Sequence, residues 1–367
     1  MSWWDDVDGD ADEDEPYGQY DESSVRVRPN PKGNRPRTKV RPTYEDAPTG
    51  WVTNVDRGRF GVLVSAPDGE HLITATKARE LGKKSVVTGD NVFLAGDVSG
   101  SEGSLARIVR VAERSTLLRR SADDSDEVER VIVANATQML IVVAAADPEP
   151  RTRLIDRYLV AAFDAGLDPI LCITKTDLAD PAPFLAHFAC LDLRIVTSRA
   201  DDVPFAAMHE VLDGQVTVTV GHSGVGKSTL VNALTGSTRA TGVVNSVTGR
   251  GRHTSSSSIA LQVRDGGWII DTPGVRSFGL GHVDPANVFR AFASHAIPVA
   301  APSSDAASGS DSPSGDGDGP AIPLDQAHDW EIVDRVNAGE LGPTGIERLD
   351  SFRALLTGMG AHDPGTD

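Results

Sequence analysis

The sequence predicts three folded parts in series: an all-β barrel of the OB type, an α/β domain with a doubly wound, mostly parallel sheet, and a small α-helical segment. Three patterns predict this. Short β-rich runs separated by turn signals fill residues 50–111, apolar runs alternate with amphipathic stretches up to residue 284, and helical spacing returns at 324–359. The expected division is a tail at 1–47, the barrel at 48–115, the α/β domain at 116–284, and a helical region at 285–367 with a low-complexity linker at about 298–323.

The tail is charged and rich in Pro and Gly, and cannot bury enough apolar surface to order itself. Residues 1–25 hold ten acids and no Lys or Arg, whereas 26–41 hold seven basic residues (Arg26, Arg28, Lys32, Arg35, Arg37, Lys39, Arg41) and no acid. Pro29, Pro31 and Pro36 make the basic run an extended arm. It reads either as a solvated, self-neutralising tail or as an arm that touches RNA phosphates. The formal net charge of −18 argues against binding nucleic acid by bulk charge, so any basic surface is local. Two cysteines, Cys172 and Cys190, exclude a disulfide scaffold and suit a reducing compartment. No apolar stretch approaches a membrane span, and the acidic N-terminus lacks a signal region. A cytoplasmic location follows, with no membrane and no DNA partner, and a monomer is expected.

Within the barrel, Gly50–Val55, Arg59–Ser65, His71–Ala75, Asp90–Leu94 and Ala106–Val111 read as strands. Pro67-Asp68-Gly69 and Thr88-Gly89-Asp90 read as turns between them. Such barrels often bind nucleic acid, and an unspecialised small β-domain is the plainer alternative. In the α/β part, Gln138–Ala144 is a continuous apolar run, as a strand covered on both faces requires. Residues 151–165 put Leu154, Ile155, Tyr158, Leu159 and Ala162 on one helical face. Pro169–Ile173, Leu193–Val196 and Val216–Val220 are further strands, each running into a polar motif, and ligands of such sheets sit at the strands' carboxyl ends.

Gly221-His222-Ser223-Gly224-Val225-Gly226-Lys227-Ser228 fits the phosphate-binding loop pattern, between a β-branched strand and a helix that continues through Thr229. Its glycines let the backbone wrap phosphates, and the helix N-terminus adds positive potential. Lys227 is expected to bridge the β- and γ-phosphates and Ser228 to ligate Mg²⁺. Asp271, 43 residues beyond Ser228, ends an apolar strand and is expected to hold the same ion, directly or through water. Gly274 of Asp271-Thr272-Pro273-Gly274 can bring its N–H to the γ-phosphate. Thr174-Lys175-Thr176-Asp177 matches the guanine-reading pattern Asn-Lys-x-Asp with Thr at the first place. Asp177 can accept from guanine N1–H and the 2-amino group together, and Lys175 can lie over the base. Ser198 and Ala200 fall in the companion loop whose backbone reads guanine O6.

The base-reading tetrapeptide precedes the phosphate loop, whereas ordinary GTPases have it after. The α/β part is therefore a P-loop GTPase domain that is circularly permuted. Between phosphate loop and Asp271, Gly249–Ser258 is Gly- and hydroxyl-rich, as a switch loop would be, and Thr254 or Ser255 could close onto Mg²⁺. Val275 stands where Ras-like enzymes have a water-orienting Gln. His253 is the nearest substitute in sequence, and is equally readable as a structural or RNA-contacting residue.

These elements, in this order and behind a barrel, resemble the RsgA family of ribosome small-subunit-dependent GTPases, over about residues 48–285 well and 324–359 loosely. Thr174–Asp177, Gly221–Ser228, Gly251-Arg252-His253-Thr254 and Asp271–Arg276 carry the resemblance. It implies GTP and GDP as ligands, the 30S subunit and its 16S rRNA as partner, a role in late small-subunit maturation, and slow hydrolysis stimulated by the subunit. It also implies a zinc-binding segment of three Cys and one His near the C-terminus. No cysteine follows Cys190 here, and His295 and His328 cannot close a four-ligand site, so no structural zinc is expected. The C-terminal helices must then dock by apolar contact or stay mobile. Two other readings remain open: a nucleotide-gated RNA-binding module with negligible hydrolysis, and an ATP-dependent P-loop enzyme.

Overall fold

The structure, a computed structural model, describes residues 44, 46–67, 69–82, 84–101, 103–120, 130–199, 201–236, 258–264, 266–272, 280–299 and 323–357. The expected tail apart from 44, 46 and 47, most of the linker, and the whole of 237–257 and 273–279 lie outside the described residues.

Five strands open the described chain: β1 (Thr49–Asp56), β2 (Arg59–Ala66), β3 (Gly69–Lys77), β4 (Asn91–Gly96) and β5 (Ala106–Val111). They pair in the order β1-β2-β3-β5-β4, and β4 returns to β1, which closes the barrel. Val52, Phe60, Val62, Ile73, Val92, Leu94 and Ile108 fill it. Their alternation with outward residues is the period of two that the sequence displays. Register shifts between Val52 and Asn54, and between Phe93 and Leu94, mark bulges that bend the strands toward closure.

A hairpin of β6 (Leu117–Arg120) and β7 (Arg130–Ala134) follows, which the sequence reading did not include. The α/β part then runs β8 (Gln138–Ala144), α1 (Thr152–Asp164), β9 (Asp168–Thr174), α2 (Ala182–Leu185), β10 (Arg194–Thr197), α3 (Phe205–Leu212), β11 (Val216–Val220), α4 (Lys227–Thr235), β12 (Ile259–Gln262) and β13 (Trp268–Asp271). The sheet order is β10-β9-β8-β11-β13-β12, parallel except for β12. In β8 every residue is buried. Met139, Ile141 and Val143 join the core on the α1 side, and Leu140, Val142 and Ala144 join the core on the α4 side. That two-sided burial is why the run has no polar alternation.

The barrel and the α/β sheet share hydrogen bonds. β1 pairs antiparallel with β12, Asn54 opposite Ile259, so eleven strands form one continuous sheet. The Thr88-Gly89-Asp90 segment is a joint as well as a turn. The Gly89 N–H donates to the Val52 carbonyl, and its own carbonyl accepts from Trp51 Nε1 and Asn135 Nδ2. Gly89 has φ +92°, and a Cβ there would lie 1.9 Å from the Ala134 carbonyl, so only glycine fits. Asp90 is buried and takes a bidentate grip from Arg114 at 2.6 and 2.9 Å.

The C-terminal helices are α5 (Pro285–Ser294), α6 (Asp329–Asn337) and α7 (Gly342–Thr357). Pro343 falls in the first turn of α7, where a proline gives up no helical hydrogen bond. The three helices dock by apolar contact: Val288, Phe292, Ile332, Val336, Leu349 and Phe352 share one cluster with Ile155, Tyr158 and Phe163 of α1. Phe352 meets Phe163 and Phe292 edge-on, with centroids 6.1 and 5.5 Å apart.

A buried ion pair sits within that apolar contact. Arg348 Nη1 of α7 donates to Asp156 Oδ1 of α1 at 2.5 Å, and Ser351 Oγ donates to Oδ2 at 2.5 Å. Asp156 is 1% exposed and Arg348 2%. Burial pushes the Asp156 carboxyl above its ordinary value, and Arg348 opposes that shift. Replacing Arg348 with Met leaves an uncompensated buried carboxylate. The expected cost is about 3–5 kcal/mol in urea unfolding, and the double variant Asp156→Leu, Arg348→Met should regain most of it.

Candidate functional site

Each motif of the sequence reading that falls on described residues stands at the carboxyl end of a parallel strand. Thr174–Asp177 follows β9, Ser198 follows β10, the phosphate loop follows β11, and Asp271 ends β13. β9, β8, β11 and β13 are successive neighbours, so these ends form one rim.

The phosphate loop turns from β11 into α4 through Gly226, whose φ of +91° favours glycine, directly before Lys227 begins the helix. Gly221 is needed for a different reason: a Cβ there would lie 2.5 Å from the Val142 carbonyl. Val225 is buried and pins the loop to the core, while His222, Ser223, Gly224, Ser228 and Thr229 are exposed at the rim. His222 Nδ1 donates to the Ser223 carbonyl at 2.9 Å.

The Lys227 ammonium pairs with Asp271 Oδ1, both side chains being largely buried. The helix end that carries Ser228 and the strand end that carries Asp271 therefore meet at one point. Thr272 continues the same strand end, donating Oγ1 to the Thr219 carbonyl at 2.8 Å.

The base-reading and phosphate-reading segments are joined by Thr174. Its Oγ1 lies 2.5 Å from the Val225 carbonyl and 3.2 Å from the Val143 carbonyl. Thr at this place, where the pattern has Asn, thus has a use: its hydroxyl ties β9 to the loop between β11 and α4. Thr176 donates from both N and Oγ1 to the Ser198 carbonyl at 3.3 Å, and Ser198 N donates to the Ile173 carbonyl at 2.8 Å. Those bonds fix the companion loop beside the tetrapeptide. Asp177 is exposed at the rim.

Sequence reasoning missed the Asp147-Pro148 loop after β8. The Lys175 ammonium contacts the Asp147 carbonyl, and both residues have left-handed backbone, at φ 55° and 47°. Non-glycine residues rarely adopt that conformation, which gathers at ligand sites. The available signal was positional, since this loop also follows a parallel strand. Ala200, His253, Thr254 and Gly274 lie outside the described residues.

Cys172 is fully buried and burial pushes its thiol up to about 12, so it is an inert core group. His295 has its Nδ1 2.8 Å from the Ala291 carbonyl and its ring against Phe163, while His328 stacks on Trp330. These two do not fit a structural zinc site, and among the described residues no group of three His, Cys, Asp or Glu could hold a metal.

A family model described as RsgA GTPase matches residues 111–281. A relative named "Small ribosomal subunit biogenesis GTPase RsgA" from Pseudomonas aeruginosa is 36% identical over 241 residues, 64% of this chain and 69% of the relative. One of the same name from Chlorobaculum parvum is 34% identical over 253 residues, 65% of this chain and 81% of the relative. Among solved structures, YjeQ from Thermotoga maritima superposes with a TM-score of 0.55 at 23% identity, covering 84% of this chain and 98% of that one. YloQ, described as a circularly permuted GTPase, superposes with a TM-score of 0.56 at 20% identity, covering 88% and 99%. At such identities the superpositions speak for the fold.

Thr174→Val keeps the shape and removes the hydroxyl proton, leaving the Val225 carbonyl short of a partner. Guanine-nucleotide affinity, read by titration with a fluorescent GDP, is expected to weaken by about fivefold to twentyfold, as loss of one buried hydrogen bond predicts.

Proposed function

This chain belongs to the RsgA GTPase family, and from that premise we propose that it binds and hydrolyses GTP while engaged in biogenesis of the small ribosomal subunit. The observation that best supports the reading is the Thr174–Val225 hydrogen bond, which ties the base-reading segment to the phosphate-reading one. A guanine read by Asp177, Lys175 and the Ser198–Ala200 loop would then extend its phosphates over Gly221–Ser228.

The donor set suits Mg²⁺: the Ser228 hydroxyl and the Asp271 carboxylate are hard oxygen ligands, brought together by the Lys227–Asp271 contact. Bound there, the ion would offset charge on the β- and γ-phosphates. Lys227 exchanges Asp271 for the phosphates and steadies the charge that develops as water attacks the γ-phosphorus in line. Gly274 would contribute a backbone N–H to the γ-phosphate, and the Thr254 hydroxyl would be a further oxygen ligand for the ion. Val275 cannot orient the water, so His253 or the bound subunit does so.

The barrel offers a face for RNA. Arg59, Thr76 and Arg107 lie in one cross-strand row, and Arg110 caps the Phe93 ring 3.6 Å from its centroid. All three arginines are exposed. Guanidinium groups beside an aromatic ring suit phosphates and stacked bases. Among the described residues no helix is long and apolar enough to cross a membrane. A cytoplasmic monomer acting on the 30S subunit fits this reading.

Lys227→Ala is expected to abolish phosphate release from GTP, and wild-type release should rise several-fold or more on adding purified small subunits. Release that small subunits fail to stimulate would favour the second reading, a nucleotide-gated RNA-binding module, which Val275 keeps open. The double variant Arg107→Glu, Arg110→Glu should weaken co-sedimentation with small subunits on the order of tenfold, with a shallower salt dependence and unchanged GDP affinity.

A further inference from the structure

We propose that Thr88, in the joint between barrel and sheet, is a positioning residue for Asp271, so that the barrel forms part of the apparatus that presents this carboxylate to the phosphate loop. The inference rests on the GTP-binding site described above and adds to it a residue far from any nucleotide motif.

Four observations lead from Thr88 to Asp271. Thr88 is 1% exposed, and its Oγ1 donates to the Ser258 carbonyl at 2.9 Å across 170 residues of sequence. Ser258 immediately precedes β12, a strand of four residues. In β12, Ile259 has Asn54 of the barrel on one side and Asp271 on the other. The barrel also touches β13 directly: Trp51 meets Trp268 edge-on with centroids 4.8 Å apart, and Trp268 begins the strand that Asp271 ends.

The physical argument concerns how little else holds β12 against the barrel. Its pairing with β13 runs over four residues, whereas β1 meets it at Asn54 opposite Ile259. A strand this short takes its position from its flanking attachments. Thr88 supplies one of them at the end of β12 nearest the site. Thr88 is itself held on its backbone, its carbonyl accepting from Ala134 N at 3.0 Å, next to a Gly89 that tolerates no side chain. The hydroxyl is thus a rigid donor, and the Ser258 carbonyl is fixed relative to the barrel core. Asp271 lies opposite Ile259 and contacts Lys227, so a slip of β12 is passed to the pair on which metal and phosphate binding depend. Displacements of about 1 Å at a reacting centre are costly in rate.

The test uses the full chain with Thr88→Val, which keeps the shape and removes the donor, and Thr88→Ser, which restores it. Two measurements are made: steady-state GTP hydrolysis with small subunits, and release of a fluorescent GDP as Mg²⁺ is varied. For Thr88→Val we expect kcat to fall about tenfold, with KM for GTP within about twofold because the loop and the base-reading residues are untouched. The Mg²⁺ concentration that half-maximally slows GDP release should rise several-fold. Thr88→Ser should recover both. Wild-type Mg²⁺ dependence and kcat in Thr88→Val would overturn the proposal, as would Thr88→Ser being equally impaired. If Thr88→Val fails to fold, Thr88→Ala takes its place. It removes the same donor to the Ser258 carbonyl and should shift Mg²⁺ dependence the same way; no shift would overturn the proposal. A wild-type chain that releases no phosphate from GTP would sink the hydrolysis reading alone, and the GDP-release measurement would still decide the role of Thr88.

Discussion

One row of backbone pairing runs through the molecule, and the site depends on it. Asn54 of the barrel faces Ile259, Ile259 faces Asp271, Asp271 faces Thr219, Thr219 faces Leu140, Leu140 faces Ile170, and Ile170 faces Arg194. The base-reading and phosphate-loop segments leave the sheet a few residues beyond this row, and Asp271 lies in it. A shift of one residue anywhere along it would turn side chains to the opposite face, since strands alternate with a period of two. Asp271 would then point away from Lys227, and Thr174 away from the Val225 carbonyl. Register is therefore the quantity that the two flanking cores protect. They do so by burying alternate residues of β8 and β9 on opposite sides.

The C-terminal helices show a different balance. Apolar contact with α1 would suffice to hold them, but contact of that kind has little directional preference. The Arg348–Asp156 pair with Ser351 adds direction, because a buried carboxylate accepts only donors that arrive at its two oxygens. Its net contribution to stability is small, since desolvation opposes the attraction. Its contribution to orientation is larger: a helix rotated about its own axis would take Arg348 and Ser351 away from Asp156 and leave that carboxylate buried without them, with Arg348 keeping only Glu347 of its own helix.

Most of the fold was legible in the sequence, for local reasons. Alternation exposed the barrel strands, continuous apolar runs exposed β8 and β9, and glycine spacing exposed the phosphate loop, because each pattern reflects a constraint acting over a few residues. What was not legible depends on distant partners. Thr88-Gly89-Asp90 has the composition of an ordinary turn, and nothing local tells that Ser258, Asn135 and Arg114 converge on it. Arg348 sits in a helix with charged neighbours and reads as a solvated residue; only the approach of α1, 192 positions earlier, buries it. The Asp147 loop lacks a motif because its contribution is a carbonyl, which every residue has. Thr174 was recognised by its place in a tetrapeptide, but the partner of its hydroxyl became visible only with β9 and β11 on either side of β8.

The rotated order of motifs also has a structural consequence. A parallel sheet built in this order ends in β12, an antiparallel edge strand of four residues whose outer N–H and C=O groups would face solvent. An uncovered edge invites pairing with other chains. Here β1 meets it at Asn54 opposite Ile259, while the rest of β1 pairs with β2 and β4 of the closed barrel. The barrel is thus joined to the α/β domain by sheet continuation, beside the strand that carries Asp271.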